Sequence, residues 1–326
     1  MGEANFVRED DRVLVTPSAA VGAGEILQLP DGRASRYPYT TAASSGTKIY
    51  CDPLKTISVP KTTGVVLLQG GRVYWDHSAN TATYKRVGDR DFYLGRVVED
   101  AGSTDATVNV ALGIDPPYDR DLNTDTFLSA IVGTQALGGL EIYRRGAERG
   151  FVLSSTNEAQ KLDLLGEEYW QAGSSAANAI IEFAFNVISD GAGTGPDINI
   201  GIANATHATD ADSITEHMFL HLDGNTVDLR LQSKDGTTTV ASTDTTIDYT
   251  EGSGIANRVE VWFDMRSPAD VQVYINGANV LPATVFNVAA ATGPWKLLAH
   301  VEKTASTNTY ELALHWLRAR FAEVRV

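Results

Sequence analysis

Apolar and polar residues alternate with a period of two in short runs along most of this chain, and turn residues separate the runs. In the first third the strand-like runs are residues 12–16, 25–29, 48–51, 64–68, 70–76, 95–100 and 107–112. Gly70-Gly71 permits a tight turn into Arg72-Val-Tyr-Trp-Asp76, which places Val73 and Trp75 on one face and Tyr74 on the other. Pro30-Asp31-Gly32 is a strong turn signal, and residues 40–47 read as a polar loop. No period of 3.6 is sustained here. The pattern predicts a compact β-barrel over residues 1–113 with an N-terminal arm.

The pattern breaks at residues 114–139. Gly113-Ile-Asp-Pro-Pro cannot be a regular element, because consecutive prolines remove donors and restrict their neighbours. Residues 124–137 form the best helix candidate, with Asp125 near its start and Gly138-Gly139 to stop it, so this stretch reads as a linker with a short helix. From 140 to 326 strands resume: residues 140–143, 151–154, 179–188, 197–202, 218–222, 227–231, 258–265, 270–277, 295–302 and 310–326. Asp223-Gly224-Asn225 and Asp235-Gly236 mark hairpins. Strands at this spacing predict a two-sheet β-sandwich, and the whole chain reads as all-β.

Composition narrows the function. The 326 residues are 43% hydrophobic and 21% charged, which describes a globular protein large enough for two cores. Cys51 is the only cysteine, so no intrachain disulfide is expected. The opening residues show no apolar signal-peptide core, and no apolar run approaches the roughly 18 residues of a membrane span, so no membrane partner is expected. Residues 1–113 hold 12 Lys/Arg against 13 Asp/Glu, whereas residues 114–326 hold 14 against 28. The second part would meet phosphates as like charges, which argues against nucleic acid.

The order of motifs in the first third carries a resemblance. An arm with Asn5-Phe6-Val7, then Ala20-Val-Gly-Ala-Gly-Glu25, Gly71-Arg-Val-Tyr-Trp-Asp76, Leu94-Gly-Arg-Val-Val-Glu-Asp100 and Val108-Asn-Val-Ala-Leu112, resembles the tailed-phage capsid cement, or head-decoration, proteins. That resemblance implies a small barrel that trimerises on the outer capsid surface and binds the major capsid protein. It implies a virion protein made in the host cytoplasm, and a capsid contact at Ala4, Asn5, Phe6, Val7 and Arg8. Residues 259–277, with Val271-Gln-Val-Tyr-Ile-Asn-Gly277, resemble a hairpin of the laminin-G/concanavalin-like jelly roll. That superfold hosts lectins, hydrolases and purely structural modules.

The candidate chemistry is sparse. Glu260 and Asp264 share a strand face at a separation of about 13 Å, wider than the about 5–9.5 Å of glycosidase carboxyl pairs. Trp262 and Tyr274 point away from the core faces and, with Glu260 and Gln272, form a patch for packing or, alternatively, for stacking on surface glycans. His217 and His221 have i, i+4 spacing on a strand, about 13 Å apart, so they do not converge on a metal. Asp119-x-Asp121-x-Asn123-x-Asp125 imitates a calcium loop but has Thr124 where glycine is needed and Ala130 where glutamate is needed. Asp210 and Asp212 read as a solvated acidic loop. Ser45-Gly-Thr-Lys48 lacks the companion motifs of a Ser-x-x-Lys enzyme, and Gly191–Gly195 has no helix to complete a phosphate cradle. Cys51 reads as a small buried residue. The expectation is a capsid decoration protein with no catalytic residue, metal or cofactor. A glycan-binding module is the alternative and a carbohydrate hydrolase a third.

Overall fold

The computed structural model describes residues 12–116, 118, 120–121, 127–132, 141–145, 148–166, 170–171, 179–191, 195–207, 210–224 and 226–321. The chain divides into two compact units, Met1–Pro117 and Tyr118–Val326. Among the described residues no helix is long and apolar enough to cross a membrane.

The first unit contains β1 (Val13–Val15), β2 (Ile26–Gln28), β3 (Ala34–Arg36), β4 (Ile49–Cys51), β5 (Thr56–Pro60), β6 (Arg72–Asp76), β7 (Thr81–Thr83), β8 (Phe92–Val97) and β9 (Thr107–Leu112). An antiparallel sheet runs β5-β9-β8-β6-β7, and β1-β4 and β2-β3 form two-stranded ribbons. The sheet curls until its outer strands meet. Lys61, just past β5, bridges Ala82 of β7 in parallel, and the Thr62 N–H donates to the Ala82 carbonyl at 2.9 Å. The ribbons enclose a second small core of Val21, Leu29, Tyr37, Ala43, Ile49 and Cys51. Cys51 is fully buried, and burial pushes its thiol up.

Two sequence expectations change here. Residues 64–68 are no strand. Val65, Val66, Leu67 and Leu68 are buried, but only Leu67 is bridged, to Ala101. Burial on all sides gives an apolar run that periodicity alone cannot distinguish from a strand. The turn at Val65 is held by buried Lys61, whose Nζ donates to the Val65 carbonyl at 2.5 Å; burial pulls the Lys61 amine down. In β6, Tyr74 does not face outward, because Val73, Tyr74 and Trp75 are all buried. A register shift between Val73 and Tyr74 against β8 breaks the alternation. Gly95 stands at that shift with φ +155°, where a Cβ would lie 2.1 Å from the Ala111 carbonyl oxygen.

The second unit contains β10 (Arg120–Asp121), β11 (Phe127–Val132), β12 (Glu141–Arg145), β13 (Glu148–Leu153), β14 (Glu158–Gly166), β15 (Trp170–Gln171), β16 (Ala179–Ser189), β17 (Asp197–Ala203), β18 (Glu216–Leu222), β19 (Asp228–Asp235), β20 (Thr239–Asp248), β21 (Val259–Asp264), β22 (Gln272–Ile275), β23 (Ala278–Val280), β24 (Pro294–Ser306) and β25 (Tyr310–Phe321). One sheet runs β12-β13-β25-β16-β21-β22-β23, with β10 on β25. The other runs β11-β14-β24-β17-β18-β19-β20, with β15 on β24. They share one hydrophobic core, in which Phe183, Phe185, Phe263 and Met265 of the first sheet's side join Ile200, Met218, Leu220, Leu231 and Trp295 of the second's. This is the expected two-sheet sandwich.

The helix expected over residues 124–137 is corrected. Phe127–Val132 is a strand with a full antiparallel register on β14, from Phe127↔Gly166 to Val132↔Lys161. The rest of that stretch lies outside the described residues, as does most of the acidic run 119–125. The linker expected at 114–139 accordingly supplies strands to the sandwich from Arg120 onward. A free sheet edge outweighs local propensity, because a ladder satisfies every second backbone group of the incoming segment.

Candidate functional site

Three places draw together side chains that could bind something. In the first unit a groove of about 870 Å³ opens between residues 22–26, Arg36, the exposed residues of β5, Trp75, His77 and Asn80. Thr56, Ser58 and Pro60 of β5 are exposed there, and Pro60 denies this strand one donor. The nearby carboxylates are taken up by turns. Asp91 accepts the N–H groups of His77, Val87 and Gly88 and, despite burial, is held below the usual carboxylate range by them. Asp76 is held low by Ser78 and Ala79. Ala4, Asn5, Phe6, Val7 and Arg8 lie outside the described residues.

The second place is the outer face of the sheet containing β21 and β22. The register sets Trp262 directly opposite Tyr274, and Asp264 opposite Gln272. Trp262 is only 6% exposed, and Glu260 is buried, whereas Tyr274 and Gln272 are half-buried. Glu260 is bonded to Arg258 at 2.6 Å and Asp264 to Arg266 at 2.6 Å. Alongside them, on β16 and β25, Glu182 accepts from the Tyr118 hydroxyl at 2.8 Å and pairs with Arg320. Arg318 lies over the rings of both Tyr118 and Trp316, and Arg258 covers Trp316 from 5.1 Å. The face is a mesh of guanidinium, carboxylate and aromatic groups.

The third place was not singled out as a unit by the sequence. On the outer face of the other sheet one lateral row runs Asp163↔His300↔Asn199↔His221↔Arg230↔Asp244 across six strands. Asp163 meets His300 Nδ1 at 2.5 Å, and Glu302 meets His300 Nε2 at 3.0 Å. Burial would push the His300 imidazole down, but these two carboxylates outweigh it and raise it to about 9. Lys161 backs Asp163 at 2.9 Å. His217 and His221 do share a strand face, with Phe219 between them. The His217 ring stacks on Phe219 at 4.4 Å, and burial pulls it down to about 4.

His221 has different neighbours. A 3-10 turn, Ala211–Ser213, lies over this face, with Ala211 and Ile214 packed against Phe219, Leu298 and Ala203. It delivers Asp212, whose Oδ1 is 3.3 Å from His221 Nδ1; Asp197 Oδ1 is 3.6 Å away and Asn199 Oδ1 3.0 Å. Burial opposes ionisation of Asp212, yet His221 and Gln232 hold it down at about 2. Asp197 is pushed up to about 7, chiefly by burial, which the nearby His221 only partly offsets. His221 itself is raised, because Asp212 and Asp197 overcome its burial. The alternation in Asp197-Ile-Asn-Ile put Asp197 and Asn199 on one face. No local pattern specified the register that sets them beside His221 or the turn that brings in Asp212.

Among the described residues the architecture is that of an all-β protein of two compact units, the second a two-sheet sandwich. Residues 7–112 match the family model of the phage cement proteins, which bears out the resemblance read in the first third of the chain. No curated protein matches the chain. Solved structures similar to it include the carbohydrate recognition domain of Emp47p, at 14% identity over 62% of this chain and 94% of that one, with a TM-score of 0.43. Others are alginate lyase AlgAT5 of polysaccharide lyase family 7, at 15% identity over 58% and 85% with a TM-score of 0.39, and a family 16 endo-glucanase from Bacteroides ovatus, at 7% identity over 62% and 98% with a TM-score of 0.40.

Proposed function

We propose that this protein is a structural component of a phage virion that decorates and stabilises the capsid. In this reading its first unit binds the outer surface of the major capsid protein lattice, and its acidic sandwich is displayed outward. The observation that carries the reading is the match of residues 7–112 to the phage cement proteins. The arm residues Ala4–Arg8 and the groove beside β5 are the contact surfaces we assign to it, and a homotrimer is the assembly. A component that binds only the assembled shell stabilises that shell by mass action.

The test is co-sedimentation of the full chain with expanded, DNA-free heads of the phage that encodes it, alongside its mass in solution. Saturable binding to heads and a trimer mass are expected. A chain that stays in the supernatant at high concentration overturns the reading. Ser58→Lys, on the exposed side of β5, is expected to weaken head binding at least about tenfold, since it sets a charge into the contact.

For the patch at Trp262, Tyr274, Glu260 and Gln272 we infer packing rather than sugar stacking. A tryptophan only 6% exposed has too little free ring surface for a sugar to stack on.

A further inference from the structure

We propose that the outer face of the second sandwich sheet holds one divalent transition-metal ion, of the zinc type, between Asp197, Asp212 and His221. One ligand atom of each lies within 4.8 Å of the others. The three side chains come from β17, the 3-10 turn and β18, so the site is made by tertiary structure and not by a local acidic run.

The spacing around His221 Nδ1 is close to that of a coordination shell. Ligands about 2.0–2.1 Å from a tetrahedral ion are about 3.3–3.4 Å from one another. His221 Nδ1 stands 3.3 Å from Asp212 Oδ1, 3.6 Å from Asp197 Oδ1 and 3.0 Å from Asn199 Oδ1. A single proton on Nδ1 can point well at one of these oxygens. An ion among them serves them together.

The surroundings fit the same reading. The His221 side chain is 6% exposed and directs Nδ1 to the three oxygens, while the side chains of Asp197 and Asp212 are 31% and 33% exposed, which leaves the site open to solvent. The carboxylates are also oriented by hydrogen bonds from neighbouring amides, as metal ligands commonly are. Asn199 Nδ2 donates to Asp197 Oδ1 at 2.8 Å, and Gln232 Nε2 donates to Asp212 Oδ1. Lys234 does not neutralise the Asp212 carboxylate, because its Nζ is turned to the Asp212 backbone carbonyl. Asp210 also lies close to Asp197 and adds negative potential, whereas the charge of nearby Glu302 is met by His300. An imidazole among the donors favours zinc and its neighbours over calcium, which takes oxygen throughout.

The test uses untagged full-length protein stripped with EDTA and Co²⁺ as the probe. One Co²⁺ per chain with a visible ligand-field band, displaced by one equivalent of Zn²⁺, is expected. His221→Gln and the part-exposed Asp197→Asn are each expected to weaken binding at least about tenfold while unfolding as cooperatively as the wild type. His77→Gln, in the first unit, is expected to leave binding unchanged. Absence of the band, binding undiminished in both ligand variants, or displacement of Co²⁺ by Ca²⁺ as readily as by Zn²⁺ would each overturn the assignment.

Discussion

His300 bonds a carboxylate through each ring nitrogen, so it is held as an imidazolium in the interior of a sheet face. Its folded-state value, about 9, lies above the ordinary histidine value near 6.5. The folded state therefore binds this proton more tightly, and the stabilisation it gives is complete below about pH 6.5 and lost as pH rises through about 9. Urea unfolding of the second unit is expected to show a lower midpoint at pH 10 than at pH 7. His300→Gln should flatten that difference and cost about 3 kcal/mol, since it leaves buried Asp163 short of a cation. A glycine gives the other residue-scale prediction. Gly95→Ala sets a methyl against the Ala111 carbonyl and should lower the thermal midpoint of the first unit, with a loss above about 1 kcal/mol. The sequence showed Gly95 as part of a strand. Its close approach to β9 depends on a register that no local pattern specifies.

Strands, more than residues, show where reading the sequence stops. Alternating segments such as residues 197–202 and 218–222 were legible because one face is core and the other is not. Buried Val65–Leu68 and the segment at Phe127–Val132 were misread, the first because burial on all sides mimics a strand, the second because a free edge of β14 overrides helix propensity. β20 was missed, being rich in threonine and largely part-exposed, with few apolar residues to mark a period. β21 gives a prediction at this scale. Its outward Trp262 was read from alternation as a patch residue, yet the mesh of arginines, carboxylates and tyrosines around it leaves little of the ring in water. Trp262→Ala is expected to cost about 3–5 kcal/mol of stability. A glycan array should show no sugar signal that this substitution removes. β24 offers another. Lys303 donates to the carbonyls of Ser154, Thr156 and Ser306, and burial pulls its amine down. Lys303→Met fills the volume but strands those acceptors, and chemical denaturation should register a loss of about 2 kcal/mol.

The two units have separate cores, and calorimetry of the full chain is expected to resolve two transitions. Mutations such as Gly95→Ala should move one transition and His300→Gln the other. At this scale the sequence by itself determined that the protein is all-β, that it is built in two parts, that the negative charge gathers in the second, and that the first carries the motif order of the cement proteins. Those properties are written in composition, in period-two patterns and in short contiguous motifs, which a chain displays before it folds. Tertiary structure decided the rest. The curl that joins β5 to β7, the row that sets Asp163 beside His300, and the meeting of Asp197, Asp212 and His221 all depend on register and on turns folded across a sheet. Each brings together residues far apart along the chain, and a one-residue slip would send them to opposite faces.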